Sequence, residues 1–110
     1  MSDPASQSFD EILAALAAKY PDAEVESLTY SGGRMIVRTP DEVAYARWLA
    51  DSTDRTKLAA AAQALCLRCV LHPSTDAVKV LFVRKPALPL RIVDKLLEKA
   101  GGGDEIALGK

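Results

Sequence analysis

The chain has 110 residues, enough for one domain but not for a separate catalytic module as well. Lysine plus arginine (14) almost equal aspartate plus glutamate (15), so the surface carries no strong charge to attract nucleic acid or an anionic membrane. Apolar residues make up 49% of the chain but aromatic residues only 5%, which favours packed helices over a β-sandwich.

The sequence predicts a cytoplasmic protein. Its first residues, Met1–Pro4, lack the basic and apolar regions of a signal peptide, and no apolar stretch approaches the ~20 residues of a membrane span. The two cysteines, Cys66 and Cys69, are too close in sequence to join distant elements, and we expect both to be reduced thiols.

The first predicted element is a helix that follows a frayed segment, residues 1–7. Ser8 and Glu11 form a capping box at its start, and Pro21 ends it. Apolar residues recur at helical spacing and form one stripe. The stripe consists of Phe9, Ile12, Leu13, Leu16 and Tyr20.

A β-hairpin is predicted next, from two segments rich in β-branched residues. Val25–Tyr30 and Met35–Arg38 flank a turn that contains Gly32 and Gly33. An isolated hairpin is only marginally stable in water, so its apolar face must pack on the helices or pair with another chain.

The start of the second helix has the strongest local signal in the chain. Thr39 is predicted to be the N-cap, Pro40 the first helical residue and Glu42 the partner that closes the capping box. This helix is expected to end near Ala50, before the polar break at Asp51–Asp54.

An alanine- and leucine-rich helix over about Arg55–Leu71 should form the centre of the core, because this composition favours helix and permits close packing. Val78–Val83 is ambiguous: its β-branched residues favour a strand, while Ser74–Asp76 before it resembles a helix N-cap. The last helix is predicted over about Leu90–Ala100, with Gly101–Gly103 as its C-cap.

These elements together predict an α+β, mainly helical fold, in which four to five packed helices accompany one β-hairpin. Residues 8–103 form one globular domain, and residues 104–110 form a C-terminal tail that is either mobile or a short edge strand.

The most chemically suggestive motif is Cys66-Leu67-Arg68-Cys69, with His72 three residues further on. A zinc site needs a fourth ligand, but the chain has one histidine and two cysteines. A redox pair needs its first cysteine at a helix N-terminus, whereas both cysteines fall late in the predicted helix. We therefore expect both to pack in the core as small hydrophobes, and predict no catalytic residue, cofactor or metal site.

Four residues are candidates for contact with a protein partner. Tyr45 and Trp48 lie three residues apart on the second helix, and both residue types are preferred interface anchors. Leu88 and Leu90 are the other two candidates, beside a locally basic stretch that an acidic partner could bind.

From Gly33 onward, four features follow one another in a distinctive order. A strand enters a proline-started helix at Arg34–Pro40, an aromatic helix with Tyr45 and Trp48 comes next, an alanine-rich helix ends at Cys69–Pro73, and a proline-led helix closes at Pro86–Gly101. This order resembles the tail assembly chaperones of tailed bacteriophages and prophages.

The resemblance implies a short helix within residues 74–85 and a non-enzymatic function. Such chaperones bind the tape measure protein and keep it soluble in the host cytoplasm while the tail tube polymerises, and many are also made in a frameshifted longer form. Two alternatives stay open: a bacterial homo-oligomeric adaptor whose hairpin pairs across a two-fold axis, and a small thiol or metal-binding protein.

Overall fold

The computed structural model describes residues 8–103 and Ala107, and its α+β, mainly helical architecture confirms the predicted fold class. Five α-helices and a three-stranded antiparallel sheet make up the described part of the chain. In chain order they are α1 (Phe9–Lys19), β1 (Val25–Tyr30), β2 (Gly33–Arg38), α2 (Glu42–Ser52), α3 (Leu58–Cys69), β3 (Val70–His72), α4 (Thr75–Arg84) and α5 (Leu88–Leu97). The predicted frayed segment and C-terminal tail lie outside the described residues, apart from Ala107.

The start of α1 confirms the predicted cap, but the start of α2 corrects one. The hydroxyl of Ser8 accepts a hydrogen bond from the backbone N–H of Glu11, at 3.1 Å. In α2 the N-cap is Asp41 rather than Thr39, because the Asp41 carboxylate accepts the backbone N–H of Ala44 at 2.8 Å. The backbone N–H of Thr39 instead donates to the Glu24 carbonyl oxygen, which extends the pairing of the hairpin by one residue at each strand.

The sheet contains the predicted hairpin and one strand that was not predicted. β1 and β2 pair around the two-residue turn Ser31–Gly32, and Leu28 lies opposite Met35. β3 pairs with the other edge of β2, where Val70 lies opposite Val37. The helix predicted to reach Leu71 therefore ends at Cys69. The residues that follow, Val70 and Leu71, are extended because they belong to β3, which pairs with β2.

The ambiguous segment Val78–Val83 is helical. It lies within α4, where the Ser74 hydroxyl accepts the backbone N–H of Ala77. Val78 and Phe82, four residues apart, are both buried, whereas Val80 and Val83 face outward. One buried stripe and two exposed valines fit helical spacing and not the alternation of a strand.

The last helix, α5, begins two residues before the predicted start, at Leu88, with Pro89 in its first turn. It ends at Leu97, and a wider helical turn continues over Glu98–Gly102. Gly101 has a φ of 108°, a conformation that glycine adopts without the strain imposed by a Cβ. The predicted glycine-rich end of the helix is confirmed.

The core lies between one face of the sheet and helices α2, α3, α4 and α5. Met35 and Val37 of β2 point into it, and Ile36 between them points to the opposite face. On that opposite face α1 supplies the cover: the Phe9 ring lies 4.1 Å from the guanidinium of Arg34. The apolar stripe of α1 is only half-buried, so α1 lies at the margin of the fold.

Candidate protein-binding surface

Both cysteines are buried within the hydrophobic core, which confirms the prediction that they pack as small hydrophobes. Burial raises the pKa of the Cys66 thiol to about 12, and the same cause raises the pKa of the Cys69 thiol to about 11. The Cys66 sulfur donates a hydrogen bond to the Pro89 carbonyl oxygen at 3.4 Å. A thiol that stays protonated and enclosed is a poor nucleophile and a poor metal ligand.

His72 does not complete a site with these thiols. It belongs to β3, and its ring meets the edge of the Phe9 ring with centroids 6.1 Å apart, on the face of the sheet covered by α1. Across residues 8–103, no three histidine, cysteine, aspartate or glutamate side chains lie close enough to hold a metal ion.

An open groove lies between α2 and the C-terminal end of α5, and we call it the α2–α5 groove. Its volume is about 520 Å³, and none of its lining side chains is charged. The lining residues are Tyr45, Trp48, Leu49, Leu97, Ala100, Gly101 and Gly102.

One wall of the groove follows from the register of α2. The Asp41 cap fixes where the helix starts, so Ala44 and Trp48, four residues apart, turn towards the core. The next stripe, Tyr45 and Leu49, is then left 41% and 48% exposed. An aromatic ring and a leucine side chain therefore stand together at the surface with the half-buried indole between them and the core.

The opposite wall is mostly backbone. Gly101 breaks the helix after α5, and a Cβ placed on Gly102 would lie only 2.7 Å from the Leu97 carbonyl oxygen. Glycine is needed here because any side chain at residue 102 would displace that carbonyl. Leu97 and Ala100 contribute the side chains of this wall, beside Gly101 and Gly102.

Two of the four residues predicted to contact a partner lie together in this groove, and two do not. Tyr45 and Trp48 form its α2 wall. Leu88 lines a different cavity, between β1 and α5, and Leu90 is 39% exposed but lines neither. Leu49 was not among the predicted contact residues, although its spacing of four residues from Tyr45 places both on one face of α2.

The fold and the groove define a small α+β domain with an open groove, lined by uncharged side chains, at its surface. The chain belongs to a family described as a domain of unknown function (DUF6848), whose model matches residues 14–109.

A solved structure of an uncharacterised protein from Bacillus stearothermophilus, rbstp2171, has the same fold. The similarity has a TM-score of 0.69 at 14% sequence identity and covers 87% of this chain and 98% of that one. No curated protein matches the chain. Among the described helices, none combines the length and the apolar character needed to cross a bilayer.

Proposed function

We propose that this chain is a non-enzymatic tail assembly chaperone of phage or prophage type. In this proposal it binds the tape measure protein in the bacterial host cytoplasm and keeps it soluble until the tail tube has formed. The observation that carries the proposal is the α2–α5 groove, which exposes Tyr45 and Leu49 beside Trp48 on a surface without charge.

The groove suits an apolar stripe of a client helix. Helices are commonly bound this way, with apolar anchors at every third or fourth residue laid into a hydrophobic groove. Each large anchor that leaves water for such a groove contributes roughly 1.5–3 kcal/mol before the entropic cost of association. A long helical client such as a tape measure protein could offer many equivalent stripes of this kind.

Two further observations support the proposal. The resemblance to tail assembly chaperones implies a short helix within residues 74–85, and α4 occupies Thr75–Arg84. The thiols that the competing redox or metal function would use are enclosed in the core, where burial raises the pKa of each.

Co-expression with fragments of a phage tape measure protein tests this function. The wild-type chain should retain a fragment in a pull-down, and Tyr45→Glu/Leu49→Glu should weaken binding by ~30-fold or more, as expected for removal of two anchors. Val80→Glu/Val83→Glu is the matched control, because these valines are 57% and 83% exposed on α4 and lie outside the groove. The proposal fails if no fragment is retained, or if both variants bind as the wild type does.

A further inference from the structure

One edge of the sheet is open. The strand order is β1-β2-β3, so β1 has a partner on one side only. Between residues 8 and 103, no backbone hydrogen bond from another segment reaches the outer edge of β1. This edge also lacks the lysine, proline or bulge that commonly prevents an exposed strand from pairing with another chain.

The hydrogen-bonding pattern of the hairpin shows which groups of β1 are free. Tyr30 and Gly33 close the two-residue turn, so this pair and every second pair after it exchange hydrogen bonds. The bond from the Thr39 N–H to the Glu24 carbonyl falls in the same series. The N–H and C=O groups of Ser27 and Thr29 therefore point outward, and both residues are exposed.

A groove runs along this edge, between β1 and α5, and we call it the β1–α5 groove. Its volume is about 510 Å³. Its floor is apolar: Leu28 and Met35 come from the sheet, and Leu88 and Ile92 from α5. A strand added to β1 would thus find backbone partners along one side and an apolar floor beneath every second side chain.

The charges of this groove are all of one sign. Its charged lining residues are Arg91 and Lys95, one turn apart on α5 and both exposed. Lys95 also lies 3.5 Å from Glu98, but both side chains are more than half exposed and such a pair is weak. Glu26, the acidic residue of β1, is already paired with Lys99.

We infer that the β1–α5 groove binds an extended segment of a partner protein that joins the sheet as a fourth strand. The groove-facing side chains of this segment include an apolar anchor, which sits over Leu28 and Ile92, and carboxylates, which pair with Arg91 and Lys95. This site is separate from the α2–α5 groove and does not depend on the identity of the client proposed above.

The charge of the groove argues for such a partner over a second copy of this chain. If two copies paired through β1 about a two-fold axis normal to the sheet, both α5 helices would lie on the same face. Arg91 and Lys95 of each copy would then face the same residues of the other copy, and like charges so placed repel. An acidic strand neutralises them instead.

A capped peptide, acetyl-Thr-Glu-Thr-Val-Thr-Glu-Thr-amide, is a suitable probe. We expect saturable binding in an NMR titration, with the largest shifts at the amides of Ser27 and Thr29. Replacement of its glutamates by lysine should abolish binding. N-methylation of the peptide amides that face β1 should also abolish it, whereas methylation of the opposite set should not.

Protein variants test separately the two cationic side chains of α5 and the free backbone edge of β1. Arg91→Glu/Lys95→Glu should weaken binding about tenfold or more, since two charge pairs become repulsive. Lys57→Glu/Lys79→Glu, which changes net charge equally at exposed positions outside the groove, should have no effect. Thr29→Pro removes an outward N–H without touching the hairpin ladder and should abolish binding, while Thr29→Val should retain it.

Three results would overturn the inference. The first is equal binding of the lysine and glutamate peptides. The second is a set of chemical-shift changes confined to other surfaces. The third is a dimer of the free chain, seen by sedimentation, that Thr29→Pro dissociates. If Thr29→Pro does not fold, the paired N-methylated peptides still decide whether backbone pairing holds the strand.

Discussion

Cys66 and Cys69 have a spacing that fits either a metal or redox pair or two small residues of the core, and their surroundings distinguish the two. Their spacing with His72 matches the beginning of a metal or redox site, but the position of each within α3 turns both towards the core. Packing of both thiols in the core could be predicted from the sequence. The hydrogen bond from the Cys66 sulfur to the Pro89 carbonyl oxygen could not, because that contact joins α3 to α5.

The raised thiol pKa values predict a pH dependence of stability. In the unfolded chain the thiols ionise above their usual pKa of 9.0, whereas the folded chain holds them neutral up to pKa values of about 11 and about 12. The unfolded state therefore binds fewer protons above pH 9, and stability falls as the pH rises from there towards 11 for Cys69 and towards 12 for Cys66. Below pH 9 both states are neutral and this contribution is constant.

Urea unfolding at several pH values checks this expectation. Between about pH 8 and pH 10.5, the wild type should lose ~4 kcal/mol more than Cys66→Ala/Cys69→Ala, about half from each thiol, because the other titrating groups of the two proteins are the same. The quantity compared is the change in the free energy of unfolding with pH, since the double variant also loses some packing energy at every pH. Parallel pH profiles for the two proteins would show that the thiols ionise freely in the folded state.

At the scale of the elements, the N-cap of α2 is Asp41 and not the predicted Thr39, because Thr39 is held by the sheet. The segment Thr39–Glu42 contains two possible caps, and the sequence favours Thr39 because Pro40 suits a first helical position. The N–H of Thr39 is already bonded to Glu24, and this keeps Thr39 in the extended hairpin. Asp41 is the next residue able to cap, and its carboxylate lies 3.3 Å from the guanidinium of Arg38.

A pair of substitutions tests this assignment of the cap. Asp41→Ala should lower the free energy of unfolding by about 1–2 kcal/mol, because the N–H of Ala44 loses its acceptor. Thr39→Val should be neutral or stabilising, since the buried Thr39 hydroxyl makes no hydrogen bond within the described residues. Chemical denaturation measures the free energy of unfolding of both variants. A larger loss for Thr39→Val than for Asp41→Ala would identify Thr39 as the cap.

Helices were predicted better than sheet partners, because helix signals are local and strand pairing is not. Caps and apolar stripes are local signals, so the start of α1 and the end of α5 could be read from neighbouring residues. β3 forms because Val70 and His72 meet β2, more than thirty residues earlier in the chain. Val78–Val83 was undecided by propensity, and the Ser74 cap together with the burial of Val78 and Phe82 makes it helical.

At the scale of the whole molecule, the two proposed binding surfaces flank α5. Its buried stripe packs on α3, one side faces β1 across the cationic groove, and its C-terminal end faces α2 across the uncharged groove. Tyr45 and Trp48 could be selected from the sequence by residue type alone. Their meeting with Leu97 and Gly102, about fifty residues later in the chain, requires the fold.

The fluorescence of Trp48 reports on whether a client occupies the α2–α5 groove, because Trp48 is the one tryptophan in the chain and lines that groove. Titration with a tryptophan-free tape measure fragment should move its emission to shorter wavelength in a saturable way, as the client excludes water from the half-buried indole. Tyr45→Glu/Leu49→Glu should remove that response at the same concentrations, while Val80→Glu/Val83→Glu should keep it. A complex that forms without any change in Trp48 emission, or no complex at all, would contradict the account.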